Sequence, residues 1–325
     1  MEDNNTENRT DLSLFSEKIS ELKKSIAEII VGQEKAVDLI LTAILANGHV
    51  LIEGVPGVAK TLLAKLISKL IDADFSRIQF TPDLMPSDVL GTSVFNMQSG
   101  TFDFHRGPVF ADIVLVDEIN RAPAKTQSAL FEIMEERQAT IDGKTYKMGD
   151  IYTILATQNP VEQEGTYKLP EAQLDRFLFK VNMDYPTLEE EVMILERHHT
   201  NMKLVKLDEI KPILKKDELL ELRKYLTSVY VEPALLQYIA LLVQQTRTSK
   251  AVYLGASPRA SVALLQSSKA FALLQGRDFI TPEDIKFVAI PVLQHRLILT
   301  AEAEMEGYNP EKVTRKLIDK VEVPK

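Results

Sequence analysis

The sequence predicts an α/β protein in which a parallel sheet is flanked by helices and is followed by a small all-helical unit. Strand-like apolar runs alternate with helical periodicity from His49 to Val181, as expected when crossover helices connect parallel strands. The apolar residues at 113–116 are consecutive, which indicates a strand buried on both faces and is typical of parallel sheets. After Pro186 the strand signals stop, and the pattern from there to Leu299 is helical.

The chain divides into three predicted regions. Residues 1–12 are polar and acidic and lack apolar anchors, so we expect a mobile N-terminal tail. Residues 13–186 form the predicted α/β core, and residues 187–325 form the predicted helical unit. Within the core, the segment at about 90–108 carries glycines and spaced apolar residues, which predicts a hairpin inserted into a helix or a plain surface hairpin.

The composition excludes several kinds of function. The formal net charge is 38 − 47 = −9, which argues against a protein that coats nucleic acid, because such proteins carry a basic surface. The chain has no cysteine, which excludes disulfides, thiol catalysis and thiolate metal sites. No apolar run approaches the ~20 residues that cross a bilayer, and the N-terminus does not resemble a signal peptide. We therefore expect a soluble, cytoplasmic protein without membrane insertion.

A glycine-bearing turn lies between the apolar run 49–52 and a helix-like segment that begins at Leu62. This order suits a phosphate-binding loop, because backbone N–H groups in the turn and at the helix N-terminus point at an anion. Lys60 would reach the β- and γ-phosphates, and the Thr61 hydroxyl would ligate Mg²⁺. Ala59 replaces the glycine of the strict pattern, and we expect it not to need a positive φ, since it is close to the helix start. The alternative is an ordinary strand-to-helix turn. The residues predicted to contact nucleotide are Gly54, Val55, Pro56, Gly57, Val58, Ala59, Lys60, Thr61 and Leu62.

Two adjacent carboxylates, Asp117 and Glu118, follow the buried strand at the point where it should end. A carboxylate pair in this position is costly unless a cation or hydrogen-bond partner is present. A phosphate loop with Mg²⁺ supplies such a partner. Asp117 would position the metal, usually through its water shell, and Glu118 would polarise the water that attacks the γ-phosphate. The alternative for an isolated Asp-Glu pair is a solvated helix cap.

Three further polar residues fit a nucleotide site. Asn159 follows the strand-like run 152–157, and its amide would lie at the carboxyl end of a parallel strand, where ligands bind. Arg176 precedes a short apolar run, and Arg259 opens a predicted helix. Each arginine alone is more often a surface ion pair. A phosphoryl-transfer site, however, must neutralise the charge on the transferred group, and arginine does so with a planar fork of donors.

The order and spacing of these motifs resemble those of the AAA+ ATPases and, within them, the MoxR family. The resemblance covers nearly the whole chain, from Ile29 to about Arg296. It is carried by the segments 31–34, 54–61, 117–121, 156–162, 169–177 and 255–259. It implies a P-loop NTPase core with a five-stranded parallel sheet, a helical lid domain, and ATP and Mg²⁺ as cofactors.

The resemblance also implies a role for each matching residue. The implied roles are Walker A for Gly54, Gly57, Lys60 and Thr61; Walker B for Asp117 and Glu118, with Glu118 as catalytic base; sensor 1 for Asn159; the arginine finger for Arg176; sensor 2 for Arg259; and the segment over the adenine for Val31, Gly32 and Gln33. Whether Arg259 acts on the nucleotide of its own subunit or of a neighbour stays open.

For function, the resemblance implies a homo-oligomeric, hexameric ring that hydrolyses ATP and remodels client proteins. The family often works with a von Willebrand factor A domain partner and often serves metal or cofactor insertion. A nucleic-acid motor or loader is the alternative within the AAA+ class, and the acidic charge and the lack of an appended DNA-binding domain weigh against it. A monomeric P-loop kinase or GTPase is disfavoured by Arg176 and by the helical unit that carries Arg259.

Overall fold

The computed structural model describes residues 12–160, 167, 169–199 and 207–323. The predicted tail therefore lies outside the described residues, except for Leu12, which is buried. The helices are α1 (Ser13–Ile29), α2 (Glu34–Leu45), α3 (Lys60–Leu70), α4 (Pro86–Leu90), α5 (Ala124–Glu136), α6 (Glu171–Leu174), α7 (Leu188–His199), α8 (Lys216–Lys224), α9 (Pro233–Thr248), α10 (Pro258–Leu274), α11 (Pro282–Leu293), α12 (Ala301–Met305) and α13 (Pro310–Lys320). The strands are β1 (Val50–Gly54), β2 (Phe75–Gln79), β3 (Gly91–Asn96), β4 (Thr101–Arg106), β5 (Ile113–Asp117), β6 (Gln138–Ile141), β7 (Lys144–Lys147), β8 (Thr153–Gln158), β9 (Phe179–Met183), β10 (Val252–Leu254) and β11 (Ile298–Leu299).

The described residues form two compact units: the first lies within Lys24–Leu220, and the second comprises residues 12–23 and 221–323. The sequence prediction puts the boundary earlier, after Pro186. Helix α7 and residues 207–220 belong to the first unit because they bond to it: Arg197 donates to the carbonyl of Glu28 (2.8 Å), and the N–H of Ile213 donates to the carbonyl of Leu70 (2.9 Å).

The first unit is built on a five-stranded sheet, as predicted, with the order β2-β5-β8-β1-β9. Every neighbouring pair is parallel, so all the strands end at the same edge, here called the carboxyl edge, and begin at the opposite amino edge. Strand β5 is buried along its whole length, and its register pairs Val116 with Ala156 of β8. The unbroken apolar run at 113–116 is the reason, since both of its faces must be covered.

Two antiparallel hairpins extend from this sheet. Strands β3 and β4 form the hairpin predicted between Leu90 and Pro108, and Phe95 pairs with Phe102 across it. Strands β6 and β7 form a second hairpin, which the sequence analysis does not predict. The two hairpins touch through aromatic side chains, because the ring centroids of Phe104 and Tyr146 lie 4.4 Å apart.

The second unit is the predicted helical lid. Helices α9, α10, α11 and α13 pack on one another, and the rings of Phe271 and Phe287 stack with centroids 4.2 Å apart. Thr281 is the N-cap of α11 and forms a capping box with Asp284. The Asp284 carboxylate also forms an ion pair with Arg277 at 2.5 Å. One short antiparallel pair, β10 with β11, interrupts the helices and has no periodicity signal in the sequence. Across both units, no described helix combines the length and apolar character that a membrane span requires.

A buried histidine joins three elements at the amino edge of the sheet. The N–H of Ile154 in β8 donates to His49 Nδ1 (3.0 Å), and His49 Nε2 lies 3.1 Å from the carbonyl of Met134 in α5. These partners require a neutral ring with its proton on Nε2. Burial, helped by the charge of Arg137, lowers the pKa of His49 from 6.5 to about 3.

Acidification should therefore destabilise this unit through His49. The unfolded chain takes up a proton below pH 6.5, while the folded ring resists protonation down to about pH 3. The contribution of His49 to the free energy of unfolding is fully present above pH 6.5. About 2 kcal/mol of this free energy should be lost between pH 7.5 and 5. Urea unfolding followed by circular dichroism should show a smaller loss over this range in His49→Gln than in the wild-type protein.

The matched control is His105→Gln, which removes an exposed histidine from β4 and should leave the wild-type pH dependence unchanged. Equal pH dependence of the wild-type protein and His49→Gln would contradict the assignment. If His49→Gln does not fold, ¹⁵N NMR of the wild-type histidines decides the question, because a His49 ring protonated at pH 5 would equally contradict it.

Candidate nucleotide-binding site

The phosphate loop connects the end of β1 to the first turn of α3, at the carboxyl edge of the sheet. Gly57 (φ 90°) and Ala59 (φ 59°) both have left-handed backbone conformations. The expectation that Ala59 would not need a positive φ is therefore wrong. The chain must reverse from strand to helix within a few residues, and Ala59 is the N-cap at which it does so. A left-handed alanine costs about 1–2 kcal/mol, which the rest of the loop must offset.

The phosphate loop has free space beside Gly57, whereas Gly54 is packed closely against β9. A Cβ added to Gly57 would meet no atom within 4 Å, whereas one on Gly54 would lie 2.7 Å from the carbonyl oxygen of Met183 in β9. Lys60 Nζ donates to the carbonyl of Gly54 at 2.6 Å, so its ammonium group lies across the loop. Thr61 follows in the first turn of α3 and is half-buried. The loop thus presents a lysine and a hydroxyl beside a turn with room at Gly57.

The predicted carboxylate pair lies at the end of β5. The Asp117 side chain is only 10% exposed, and Glu118 directly after it has a left-handed backbone (φ 58°, ψ 52°). Non-glycine residues in this conformation are strained and cluster at functional sites.

Thr157 in β8 links the two carboxylate residues and was missed by sequence reasoning. Its hydroxyl donates to Asp117 Oδ1 (3.2 Å) and accepts from the backbone N–H of Glu118 (3.0 Å). A signal was available, because Thr157 is the polar residue that ends the apolar run of a strand neighbouring β5. The strand register was needed to recognise it.

Three further residues hold the carboxylates: Arg77 and Gln79 of β2, which sequence reasoning missed, and Arg121 of the turn after β5, which lies in the matched segment 117–121. Arg77 Nε donates to Asp117 Oδ2 at 2.6 Å, and Gln79 Nε2 donates to Glu118 Oε2 at 2.9 Å. Arg121 Nε forms an ion pair with the same Glu118 oxygen at 3.1 Å. These contacts compensate the negative charge at the end of a buried strand.

Asn159 lies one residue beyond β8, at the same edge as the phosphate loop and the carboxylates, and is buried. The rest of its matched segment, at 161–162, lies outside the described residues. The structure therefore brings Lys60, Asp117, Glu118 and Asn159 to the ends of three adjacent strands, β1, β8 and β5.

Arg176 lies elsewhere in the unit. Its Nε is 3.3 Å from Glu135 Oε2 in α5, and its Nη1 donates to the carbonyl of Ala172 at 3.1 Å. Two residues later, the N–H of Leu178 donates to the carbonyl of His49 (2.8 Å), immediately before β1 begins. Arg176 is therefore close to the amino edge of the sheet.

The segment predicted to cover the adenine lies against the connection from β9 to α7. Gln33 Nε2 donates to the carbonyl of Asp184 (3.3 Å), and a Cβ on Gly32 would meet the carboxylate of Glu190. Val31 is half-buried beside them in the chain. A cavity of about 200 Å³ opens next to the phosphate loop, lined by Glu53, Gly54, Val55, Pro160, Asn182, Met183, Asp184 and Tyr185.

Arg259 belongs to the lid unit. It lies exposed in the first turn of α10, after Pro258 at the first helical position. Its role toward nucleotide stays a prediction.

The donor set fits a nucleotide with Mg²⁺. Magnesium prefers oxygen ligands, keeps several waters, and is held in nucleotide sites by one or two carboxylates together with phosphates. The Thr61 hydroxyl and the Asp117 carboxylate are such donors. No cluster of three or more His, Asp or Glu side chains in the described part of the chain could hold a metal by itself. A magnesium ion at this site would therefore depend on the phosphates.

Comparison with known proteins agrees with this geometry. Residues 49–179 match the ATPase family associated with various cellular activities (AAA), and residues 244–317 match the AAA lid domain. The chain is 46% identical over 302 residues to the uncharacterized protein YeaC of Bacillus subtilis, with 92% of each chain covered. It is 44% identical over 308 residues to Chaperone MoxR1 of Mycobacterium tuberculosis, with 92% of this chain and 80% of the relative covered.

A solved structure from Cytophaga hutchinsonii, described as a candidate ATPase, has the same fold. Its TM-score is 0.88 with 42% identity, and the match covers 97% of both chains. The matched families, the relatives and the shared fold together show that the chain belongs to the MoxR family of AAA+ ATPases.

Proposed function

We propose that this protein is a Mg²⁺-dependent ATPase that assembles into a ring, hexameric by family resemblance, and uses ATP hydrolysis to remodel client proteins. The observation that carries the proposal is the meeting of the phosphate loop, the carboxylate pair and Asn159 at one edge of the sheet. Because its substrate is ATP, we place its work in the cytoplasm.

The catalytic roles follow from the chemistry of each side chain. Backbone N–H groups of the phosphate loop and the Lys60 ammonium would bind the phosphates, and Thr61 and Asp117 would hold Mg²⁺. When bound, the metal neutralises negative charge on the phosphate oxygens. Glu118 accepts the proton of the attacking water, and Asn159 orients that water. Gln79 and Arg121 hold Glu118 at the edge of the sheet that carries the phosphate loop, and this position supports its role as the base.

The position of Arg176 supports an action on a neighbouring subunit. It lies near the amino edge, while the phosphate loop begins at the end of β1. Five residues of strand separate the two edges, a length of roughly 16 Å at about 3.3 Å per residue, which is longer than any side chain. An arginine finger in this position can reach only the nucleotide site of another subunit. The proposed chemistry therefore requires that subunits assemble.

The client is proposed to be a protein. The relative from Mycobacterium tuberculosis is named as a chaperone. The β3–β4 hairpin presents large apolar side chains to solvent, with Phe102 66% and Met97 90% exposed, as a surface that engages other proteins would. By resemblance, the partner is a protein with a von Willebrand factor A domain, and the work is activation of the client, including metal or cofactor insertion.

Two substitutions should separate nucleotide binding from hydrolysis. Glu118→Gln removes the base but keeps the shape of the site, so ATP affinity should persist while turnover falls roughly 10²–10⁴-fold. Lys60→Ala removes the charge that holds the phosphates and should abolish binding. Fluorescent-nucleotide binding and phosphate release measure the two effects. Glu132→Gln, an exposed glutamate of α5, is the matched control and should behave as wild type.

Near-normal turnover by Glu118→Gln would remove Glu118 as the base. Micromolar ATP affinity in Lys60→Ala would contradict the phosphate-loop assignment.

Mixing variants should test whether Arg176 acts between subunits. Arg176→Ala should keep ATP affinity and lose roughly 10³–10⁵ in turnover. Mixed 1:1 with Lys60→Ala, it should recover about a quarter of wild-type activity, since about a quarter of pockets in random rings pair an intact loop with an intact finger. Phosphate release after subunit exchange is the measurement.

A mixture of Lys60→Ala with Glu118→Gln is the control. Both changes damage the same pocket, so no pairing restores it and no activity should return. Absence of recovery in stable mixed rings of Arg176→Ala and Lys60→Ala would contradict an action between subunits.

A further inference from the structure

A single arginine on the edge strand β2 is connected to both carboxylates of the site. Arg77 Nε donates to Asp117 Oδ2 at 2.6 Å, with the arginine side chain 49% exposed and the aspartate side chain 10% exposed. Arg77 Nη2 also donates to Gln79 Oε1 at 3.3 Å, and Gln79 in turn donates to Glu118 at 2.9 Å. Arg77 thus contacts one carboxylate directly and the other through an amide.

The second contact determines which way the amide points. A glutamine side chain has a donor end and an acceptor end, and the two can exchange by rotation. Because Arg77 donates to Oε1, the NH₂ group of Gln79 must face Glu118, whose carboxylate can only accept. Donation to two acceptors from one rigid fork is a property of arginine, and a lysine ammonium does not reproduce it.

The contact between Arg77 and Asp117 affects how tightly Asp117 would bind Mg²⁺. The guanidinium lies beside an oxygen of the carboxylate that would hold Mg²⁺, and a positive charge there opposes the approach of a divalent cation. Arg77 also stabilises Asp117 when no metal is bound, since a buried carboxylate needs a partner.

We propose that Arg77 is a positioning residue of the nucleotide site: its charge lowers the affinity of Asp117 for Mg²⁺, and its fork orients Gln79 toward Glu118. This inference rests on the proposed ATPase function. It adds a residue whose removal should strengthen metal binding while it weakens hydrolysis, and loss of a merely structural residue would weaken both.

The test is a Mg²⁺ titration of ADP binding in the full-length protein. The measured quantity is the free Mg²⁺ concentration that gives half of the increase in ADP binding. In Arg77→Met this concentration should fall roughly tenfold, because a unit charge ~6 Å from a divalent ion changes its binding by about that factor even at the dielectric constant of water. ATP turnover by the same variant should fall.

Arg77→Lys separates charge from geometry. It keeps the positive charge, so its Mg²⁺ midpoint should stay within about twofold of wild type, while kcat falls because Gln79 loses its anchor. Lys144→Met removes a positive charge from an exposed residue of β7 and is the matched control. It should change neither quantity.

A Mg²⁺ midpoint in Arg77→Met that is unchanged or raised, in a protein that still binds ADP, would overturn this inference alone. Wild-type protein that binds no ADP would overturn the proposed function and this inference with it. If Arg77→Met does not fold, Arg77→Gln provides the same removal of charge, and the same midpoints decide.

Discussion

The parallel pairing of β5, β8 and β1 is the constraint on which the site depends. Only when these strands run in the same direction do their ends meet at one edge, and the ends carry the carboxylates, Asn159 and the phosphate loop. The parallel pairing of β9 with β1 likewise places the segment around Arg176 at the opposite edge, one strand length away. One topological fact therefore explains both what the subunit assembles by itself and what it would take from a neighbour.

Burial of charge explains most of the contacts within the site. The Asp117 carboxylate ends a fully buried strand, and an unpaired charge there would be costly. The protein compensates with cations and dipoles. Arg77 and Thr157 of the neighbouring strands contact Asp117, and Gln79 of β2 and Arg121 of the turn after β5 contact Glu118. Left-handed backbone at Ala59 and Glu118 adds local strain that the surrounding sheet offsets. The site is thus held in shape by the fold before a ligand binds.

Local sequence predicted the parts of the site that are local in structure. The glycine turn, the Asp-Glu pair and the alternation of strands and helices could be interpreted without a sheet order, and the described fold agrees with them. Thr157, Arg77 and Gln79 could not be found in this way, since their roles arise from a register between strands far apart in sequence. The expectation for Ala59 was wrong for another reason. Its left-handed φ is imposed by closure of the loop, although alanine disfavours this backbone conformation. The boundary at Leu220 depends on contacts of Arg197 and Ile213 that no periodicity reveals.

A structure of the protein with a non-hydrolysable ATP analogue and Mg²⁺ would test whether two adjoining subunits complete each nucleotide site. We predict that the triphosphate lies in the loop at 54–61, with Mg²⁺ held by Thr61 and Asp117 and with Arg176 of an adjoining subunit at the γ-phosphate. Empty loops in isolated subunits at saturating analogue would contradict it. So would a γ-phosphate contacted by the subunit's own Arg176.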